Sequence, residues 1–158
     1  MKSICFTGHR KISHDIQNLK SVLSDSLEKY ITDKDITDFY CGGAVGFDTL
    51  AEQTVSELRE KYPEIKLHLV LPCPYEDQTA KWDKRQKEEF SKIMNAADTI
   101  EYTSDTHYKG CMKKRNEKLV EYADCCFCYW DGRYISGTAQ TVRLAEKKGI
   151  PIINIFKK

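Results

Sequence analysis

The strongest constraint in this sequence is an alternation. Short β-like runs, most of them continuously apolar, lie at residues 3–7, 36–41, 66–71, 99–102, 125–130 and 152–156. Between them the apolar residues recur every three or four positions, the period of a helix with one buried face. The first such segment carries Ile16, Leu19, Val22, Leu23, Leu27, Tyr30 and Ile31, with Ser13 or Asp15 as its cap. The second starts at Phe47, turns Leu50, Ala51, Val55 and Leu58 inward and is stopped by Pro63. A long charged helix is expected over 78–97, with Trp82, Phe90, Ile93 and Met94 inward, and two more over 109–123 and 137–148. Strands alternating strictly with helices require parallel pairing through right-handed crossovers. Runs that are apolar throughout suit a sheet covered on both faces. The expectation is one doubly wound, Rossmann-like α/β domain over residues 1–158. Its mostly parallel sheet would have about six strands, with helices on both faces. Ligands in such folds sit beyond the C-terminal ends of the strands.

Composition narrows the function. The 158 residues carry 25 basic and 24 acidic side chains, a net charge of +1. No global field draws the protein to nucleic acid or to an anionic membrane, so nucleic acid is disfavoured as a partner. No apolar run approaches the roughly 18 residues that span a bilayer. The seven cysteines lie in or beside apolar runs, apart from Cys111 at the head of a charged helix. With no leader-like N-terminus, free thiols in a reducing cytoplasm are expected. Cys125-Cys126-x-Cys128 lacks zinc-ligand spacing, and adjacent strand residues face opposite ways, so these read as small buried hydrophobes and no metal site is expected.

Six of the eight glycines fall in the loops that follow strands: Gly8, Gly42, Gly43, Gly46, Gly132 and Gly137. Glycine lets a backbone approach a ligand closely, and a helix start offers unpaired N–H groups with partial positive charge. Residues 42–48 and 136–138 each place small residues at a helix start, and Thr138 adds a hydroxyl. Together they suit a phosphate or pyrophosphate; each alone also fits a tight turn. Neither loop is G-x-G-x-x-G or G-x-x-x-x-G-K-[ST], and G-x-S-x-G is absent. A conventional dinucleotide dehydrogenase, a P-loop hydrolase and a serine hydrolase elbow are thereby disfavoured.

Thr7-Gly8-His9-Arg10, Gly42-Gly43-Ala44-Val45-Gly46-Phe47-Asp48, Lys81-Trp82, Arg115-Asn116 and Ser136-Gly137-Thr138 occur in the order of a known family. Over residues 3–155 the chain resembles the short YpsA-like branch of the Rossmann-like SLOG superfamily, which also holds the Smf/DprA and LOG families. The resemblance implies binding of a nucleotide or a nucleotide-derived, ADP-ribose-like ligand. It further implies that Gly42, Gly43, Gly46, Gly137 and Thr138 face phosphate and that Arg115 and Asn116 form a ligand-facing pair. LOG enzymes carry Gly-Thr-x-x-Glu, whose Glu takes part in glycosidic cleavage. Here Thr141 stands at that Glu position, so phosphoribohydrolase activity is not expected.

Other residues carry two readings. Arg10, at the mouth of strand one, is a bidentate phosphate partner or a solvated loop residue. His9 is a general base or a histidine bonded to nearby backbone. Asp48 caps its helix or holds a ribose hydroxyl. Asp131, just past strand five, reads as a hydrogen-bonding ligand group. Tyr75 is the preferred stacking platform for a base, whereas Trp82 is assigned to packing. The leading reading is a nucleotide-binding sensor or carrier, with no cofactor and with homodimerisation open. The alternatives are a hydrolase of such a nucleotide, for which Asp48, Asp131 and Glu52 are the candidate carboxylates, and a single-stranded nucleic-acid module.

Overall fold

The computed structural model describes residues 1–157. The strands are β1 (Ser3–Gly8), β2 (Asp38–Cys41), β3 (Lys66–Leu71), β4 (Thr99–Tyr102), β5 (Cys125–Tyr129) and β6 (Ile152–Asn154). The helices are α1 (Ile16–Lys34), α2 (Phe47–Lys61), α3 (Tyr75–Gln78), α4 (Lys84–Ala96), α5 (Cys111–Tyr122) and α6 (Gly137–Lys148), followed by a 3-10 turn at Ile155–Lys157. All five strand pairings are parallel, in the order β4-β3-β2-β1-β5-β6. The chain winds outward from β1 to β4, crosses back through α5 and continues on the other side with β5 and β6. The winding reverses between β1 and β5, where the connecting loops part and leave a crevice.

Packing follows the strand period. In β5, Cys125, Phe127 and Tyr129 join the core under α1, α2 and α4. Cys126 and Cys128 join the core under α5 and α6. The expected opposition of Cys125 to its neighbours is thus realised, and all seven cysteines are buried free thiols. Phe6 lies at the centre, stacked on Phe39 at 6.0 Å and edge-on to Phe127 at 6.3 Å. Each such buried side chain contributes about 1.5–3 kcal/mol through the apolar area removed from water. Among the described residues no helix is long and apolar enough to cross a membrane.

Boundaries differ from the sequence expectation at α4 and β6, each for a local reason, while α1 begins at the Asp15 cap expected for it. The helix expected over 78–97 begins only at Lys84: the short α3 ends at Gln78, and residues 79–83 between the two are not helical. Asp83 caps α4 by accepting from the Gln86 N–H at 2.8 Å while the Gln86 side chain accepts from the Asp83 N–H at 3.1 Å. That capping box starts a new helix inside a stripe whose spacing runs straight through it. Helix α1 starts at Ile16 under an Asp15 cap; Ile16 itself is exposed, and the buried stripe begins at Leu19. Strand β6 ends at Asn154 because its amide side chain turns aside to bond both the N–H and the C=O of Trp130.

Three expectations follow. Asp83→Ala removes the cap of α4 and lowers stability by about 1 kcal/mol, read by urea denaturation. Gly46, at φ +84°, starts α2, and a Cβ there would lie 2.1 Å from the Arg10 carbonyl oxygen. Gly46→Ala therefore costs about 2–4 kcal/mol in the same measurement. Gly137→Ala, where a Cβ meets nothing within 4 Å, costs less than about 0.5 kcal/mol.

Candidate functional site

A cleft of about 450 Å³ opens at the switch point. Its walls are the loop after β1, the start of α6, the first turns of α5 and α2, and Arg133 from the loop after β5. Of the residues singled out in the sequence, Gly8, His9, Arg10, Asp48, Arg115, Asn116, Gly137 and Thr138 line it. Gly42, Gly43, Gly46, Glu52, Tyr75, Trp82 and Asp131 do not.

The α6 end is the open one. Ser136 caps the helix: its hydroxyl accepts from Ala139 N–H at 3.0 Å and its carbonyl from Gln140 N–H at 3.1 Å. The amides of Gly137 and Thr138 precede any intrahelical partner and have none among the described residues. Space beside Gly137 is empty to 4 Å, so both amides can receive an anion. Arg10 is exposed at the opposite rim and makes no side-chain hydrogen bond or ion pair among the described residues.

The glycines of the 42–46 loop serve the protein's own packing. A Cβ on Gly42 would meet the Arg115 guanidinium at 2.5 Å, and one on Gly43 would meet Leu71 and Phe90 at 2.6 and 2.9 Å. With Gly46 set against Arg10, protein fills the space that the three missing side chains leave, which accounts for glycine at these positions, and none of the three lines the cleft. Gly8 is similar, its Cβ direction taken by Phe47 at 2.4 Å, although its backbone lines the cleft.

Arg115 is buried. Its Nη1 donates to the Gly42 carbonyl, and its Nε donates to Asn116 Oδ1 at 2.9 Å. Asn116 Nδ2 in turn donates to Gln140 Oε1 at 3.2 Å. The Arg-Asn pair therefore ties α5 to α6 and to the end of β2 while bordering the cleft. Gln140, a residue the sequence did not flag, completes the chain. Thr141, at the position of the LOG glutamate, is buried and donates to the Gly137 carbonyl at 3.1 Å.

Asp48 and Glu52 sit one turn apart on the inner face of α2. Asp48 Oδ2 accepts from Ala44 N–H at 3.1 Å. Asp48 Oδ1 and both Glu52 oxygens are buried without a partner. Burial pushes the Asp48 carboxyl up to about 6 despite the opposing pull of Arg115, the Ala44 amide and Arg10. Burial and then the neighbouring Asp48 charge push Glu52 up further. Cys41, whose Sγ donates to the Asp48 backbone carbonyl, completes the ionisable surroundings. The sequence signal for Glu52 is an acid flanked by the inward-facing Ala51 and Val55.

Two expected ligand residues are otherwise engaged. Asp131 is clamped by Arg133, whose Nε and Nη2 donate to it at 3.0 and 2.6 Å. That guanidinium holds its carboxyl well below the usual carboxylate range. The Asp131 backbone N–H donates to His9 Nε2 at 3.0 Å, so the backbone-bonded reading of His9 holds. Tyr75 is not a free platform: its ring stacks on Phe90 at 6.0 Å and its hydroxyl donates to the Lys87 carbonyl. Trp82 packs on Phe90 at 5.3 Å, as assigned. Arg133 and Met112 line the cleft without having been singled out; Arg133 carried no signal beyond its place after β5. No cluster of three or more metal-ligating side chains occurs among the described residues.

Comparison with known proteins agrees with this architecture. The chain is 30% identical over 141 residues to the SPbeta prophage-derived protein YoqJ of Bacillus subtilis, covering 82% of this chain and 81% of that one. It is 24% identical to a UPF0398 protein of Staphylococcus haemolyticus over 83% of this chain and 74% of the relative. Among solved structures, DNA processing protein A from Helicobacter pylori superposes with a TM-score of 0.64 at 20% identity, in a structure described by its single-stranded DNA binding mode. The match covers 96% of this chain but only 63% of that protein. The structural-genomics target TM1055 superposes with a TM-score of 0.59 at 17% identity, over 96% of this chain and 72% of that one. These two likenesses establish the fold. A family model matches residues 4–155, and the chain accordingly belongs to the YspA SLOG family.

Proposed function

We propose that the switch-point cleft binds the phosphate of a nucleotide or a nucleotide-derived, ADP-ribose-like ligand, and that the protein acts as a binder or sensor of it. The observation that carries this reading is the pair of unclaimed amides at Gly137 and Thr138, two residues that line the cleft, together with the uncommitted Arg10 side chain that lines it too. A helix N-terminus and a free arginine are complementary to one phosphate from two sides. Membership of the family supports it. The first test is a thermal-shift screen with AMP, ADP, ATP, NAD and ADP-ribose. A ligand at 100 times its Kd stabilises the fold by about 2.7 kcal/mol; no shift with any of the five defeats the reading.

A second reading, single-stranded DNA binding, is favoured by the fold shared with the Helicobacter protein. The net charge of +1 weighs against it, since polymer binding draws on many phosphate contacts and counterion release. Fluorescence anisotropy with oligo-dT at rising salt decides between the two. A steep loss of affinity with salt supports DNA; no binding at low salt removes it.

Arg10→Ala weakens an anionic ligand by about 1.5–3 kcal/mol and leaves the matching nucleoside unchanged, as calorimetry would read. Equal losses for both would place Arg10 outside the phosphate site. The affinity also depends on pH. An anion settling near Asp48 raises that carboxyl beyond its value of about 6, so binding takes up a proton. The affinity for ADP-ribose, whose two phosphates keep their charge between about pH 5 and 8, therefore rises as the pH falls from 8 and levels off below about 6. The rise is of the order of tenfold for one further unit of pKa. Asp48→Asn flattens the profile and tightens binding at pH 8.

A further inference from the structure

The opposite rim of the sheet carries a second chemical cluster. Asp38, Lys66 and Thr99 are the first residues of β2, β3 and β4, so in a parallel sheet they lie at the end away from the cleft. Asp38 pairs with Lys66, and His68, two residues further along β3, pairs with Thr99. His68 joins the outer two strands: its Nε2 is 2.7 Å from Asp38 Oδ1, and its Nδ1 is 2.6 Å from Thr99 Oγ1. The Tyr40 ring stacks on the imidazole at 4.6 Å and holds its plane. The His68 side chain is only 12% exposed, whereas Thr99 is exposed. The Thr37 hydroxyl donates to Asp38 Oδ2 at 2.7 Å. Burial raises the Asp38 carboxyl, but the bonds from Thr37 and His68 outweigh it and hold the group below the ordinary carboxylate value. A carboxylate only accepts, so Nε2 of the neutral ring carries the hydrogen, and Nδ1 is left to accept from the Thr99 hydroxyl.

We propose that Thr99 is a nucleophilic hydroxyl that accepts an acyl group from a small, uncharged activated ester or thioester, with His68 as its general base and Asp38 as the residue that positions the ring. Nucleophile, base and orienting carboxylate stand in series within hydrogen-bond reach, the arrangement that activates a hydroxyl. The imidazole is used with its two nitrogens exchanged relative to a serine hydrolase. Thr99 Oγ1 bonds to the acyl carbon as its proton passes to His68 Nδ1. The bond from that carbon to the leaving oxygen or sulfur then breaks, and the leaving group takes the proton from Nδ1. The products are an ester on Thr99, a free alcohol or thiol, and a neutral imidazole. The Asp38 and Glu101 carboxylates disfavour an anionic, phosphoryl-carrying donor. Tyr122, which donates to Glu101 at 2.8 Å, lies 5.2 Å from Tyr40, and the two rings offer apolar surface beside His68. The cluster is separate from the switch-point cleft, and the proposal does not rest on the nucleotide reading.

The probe is para-nitrophenyl acetate on the whole chain, with the acetylated positions and their rates read by peptide mass spectrometry. Thr32 and Thr106 are exposed and bond no histidine, and they serve as internal references. A general base contributes about 10²–10⁴-fold, so Thr99 is expected to be acetylated at least about tenfold faster than either. His68→Ala is expected to remove that advantage, and added imidazole to restore the Thr99 rate relative to Thr32. Asp38→Asn is expected to lower the Thr99 rate at least about tenfold and to move the His68 nitrogen NMR shifts to the other tautomer, a change that a merely structural contact would not produce. Thr99 acetylated no faster than the references overturns the proposal, and this comparison needs no variant, so it stands if His68→Ala does not fold. An unchanged Thr99 rate in a folded His68→Ala chain overturns it too, and leaves the three side chains as a brace across the strands.

Discussion

Everything at the site hangs from β1. It is the one strand flanked by partners reached in opposite winding directions, with β2 bonded along one edge and β5 along the other. Parallel strands cannot be joined by tight turns, so each pairing forces a crossover over one face of the sheet. Helices α1, α2 and α4 cover one face, and α5 and α6 the other. Where the winding reverses, the loop after β1 and the loop after β5 lead to opposite faces and cannot pack on each other. The cleft is the space between them, and Arg10, Asp48 and the start of α6 border it because the chain must leave β1 and β5 there.

Within that frame the costly feature is buried charge. Asp48, Glu52 and Arg115 are all removed from water, and burial alone disfavours the charged form of each. Arg115 offsets part of its cost by donating to Gly42 and Asn116. Glu52 has no hydrogen-bond partner, and burial together with the neighbouring Asp48 charge holds its carboxyl well above the ordinary range. Asp48 lies between these cases. A carboxyl poised near 6 beside two arginines is sensitive to any charge brought close to it.

The network around Arg115 also separates two jobs that look alike in a sequence. Arg10 and Arg115 both stand near strand ends. Arg10 is solvent-exposed and uncommitted, whereas Arg115 braces the carbonyl of Gly42 across from α5. Replacing Arg10 removes no hydrogen bond of the fold; replacing Arg115 leaves a buried carbonyl and an asparagine side chain without their donor. The glycines divide in the same way. Gly42, Gly43 and Gly46 make room for Arg115, for Leu71 and Phe90, and for the Arg10 carbonyl, whereas a Cβ on Gly137 would meet nothing within 4 Å.

The alternation of apolar runs and helical stripes determined a parallel sheet covered on both faces, and six short strands in a single domain pointed to an open, doubly wound one rather than a closed barrel. The place of the candidate cleft at the strand ends was legible too, as strand ends and glycine-rich loops are fixed by chain order. What β-periodicity says about Cys125, Cys126 and Cys128 was equally legible. Direction was not. Whether a glycine faces a ligand or a neighbouring side chain depends on which residue from a distant element occupies that volume, and Phe47, Arg115 and Phe90 arrive there only through tertiary packing. The same holds for Tyr75, turned onto Phe90, and for Asp131, clamped by Arg133. Hydrogen-bond partners and cavities belong to pairs of elements, and spacing along one chain records only where each element begins and which way its own side chains point.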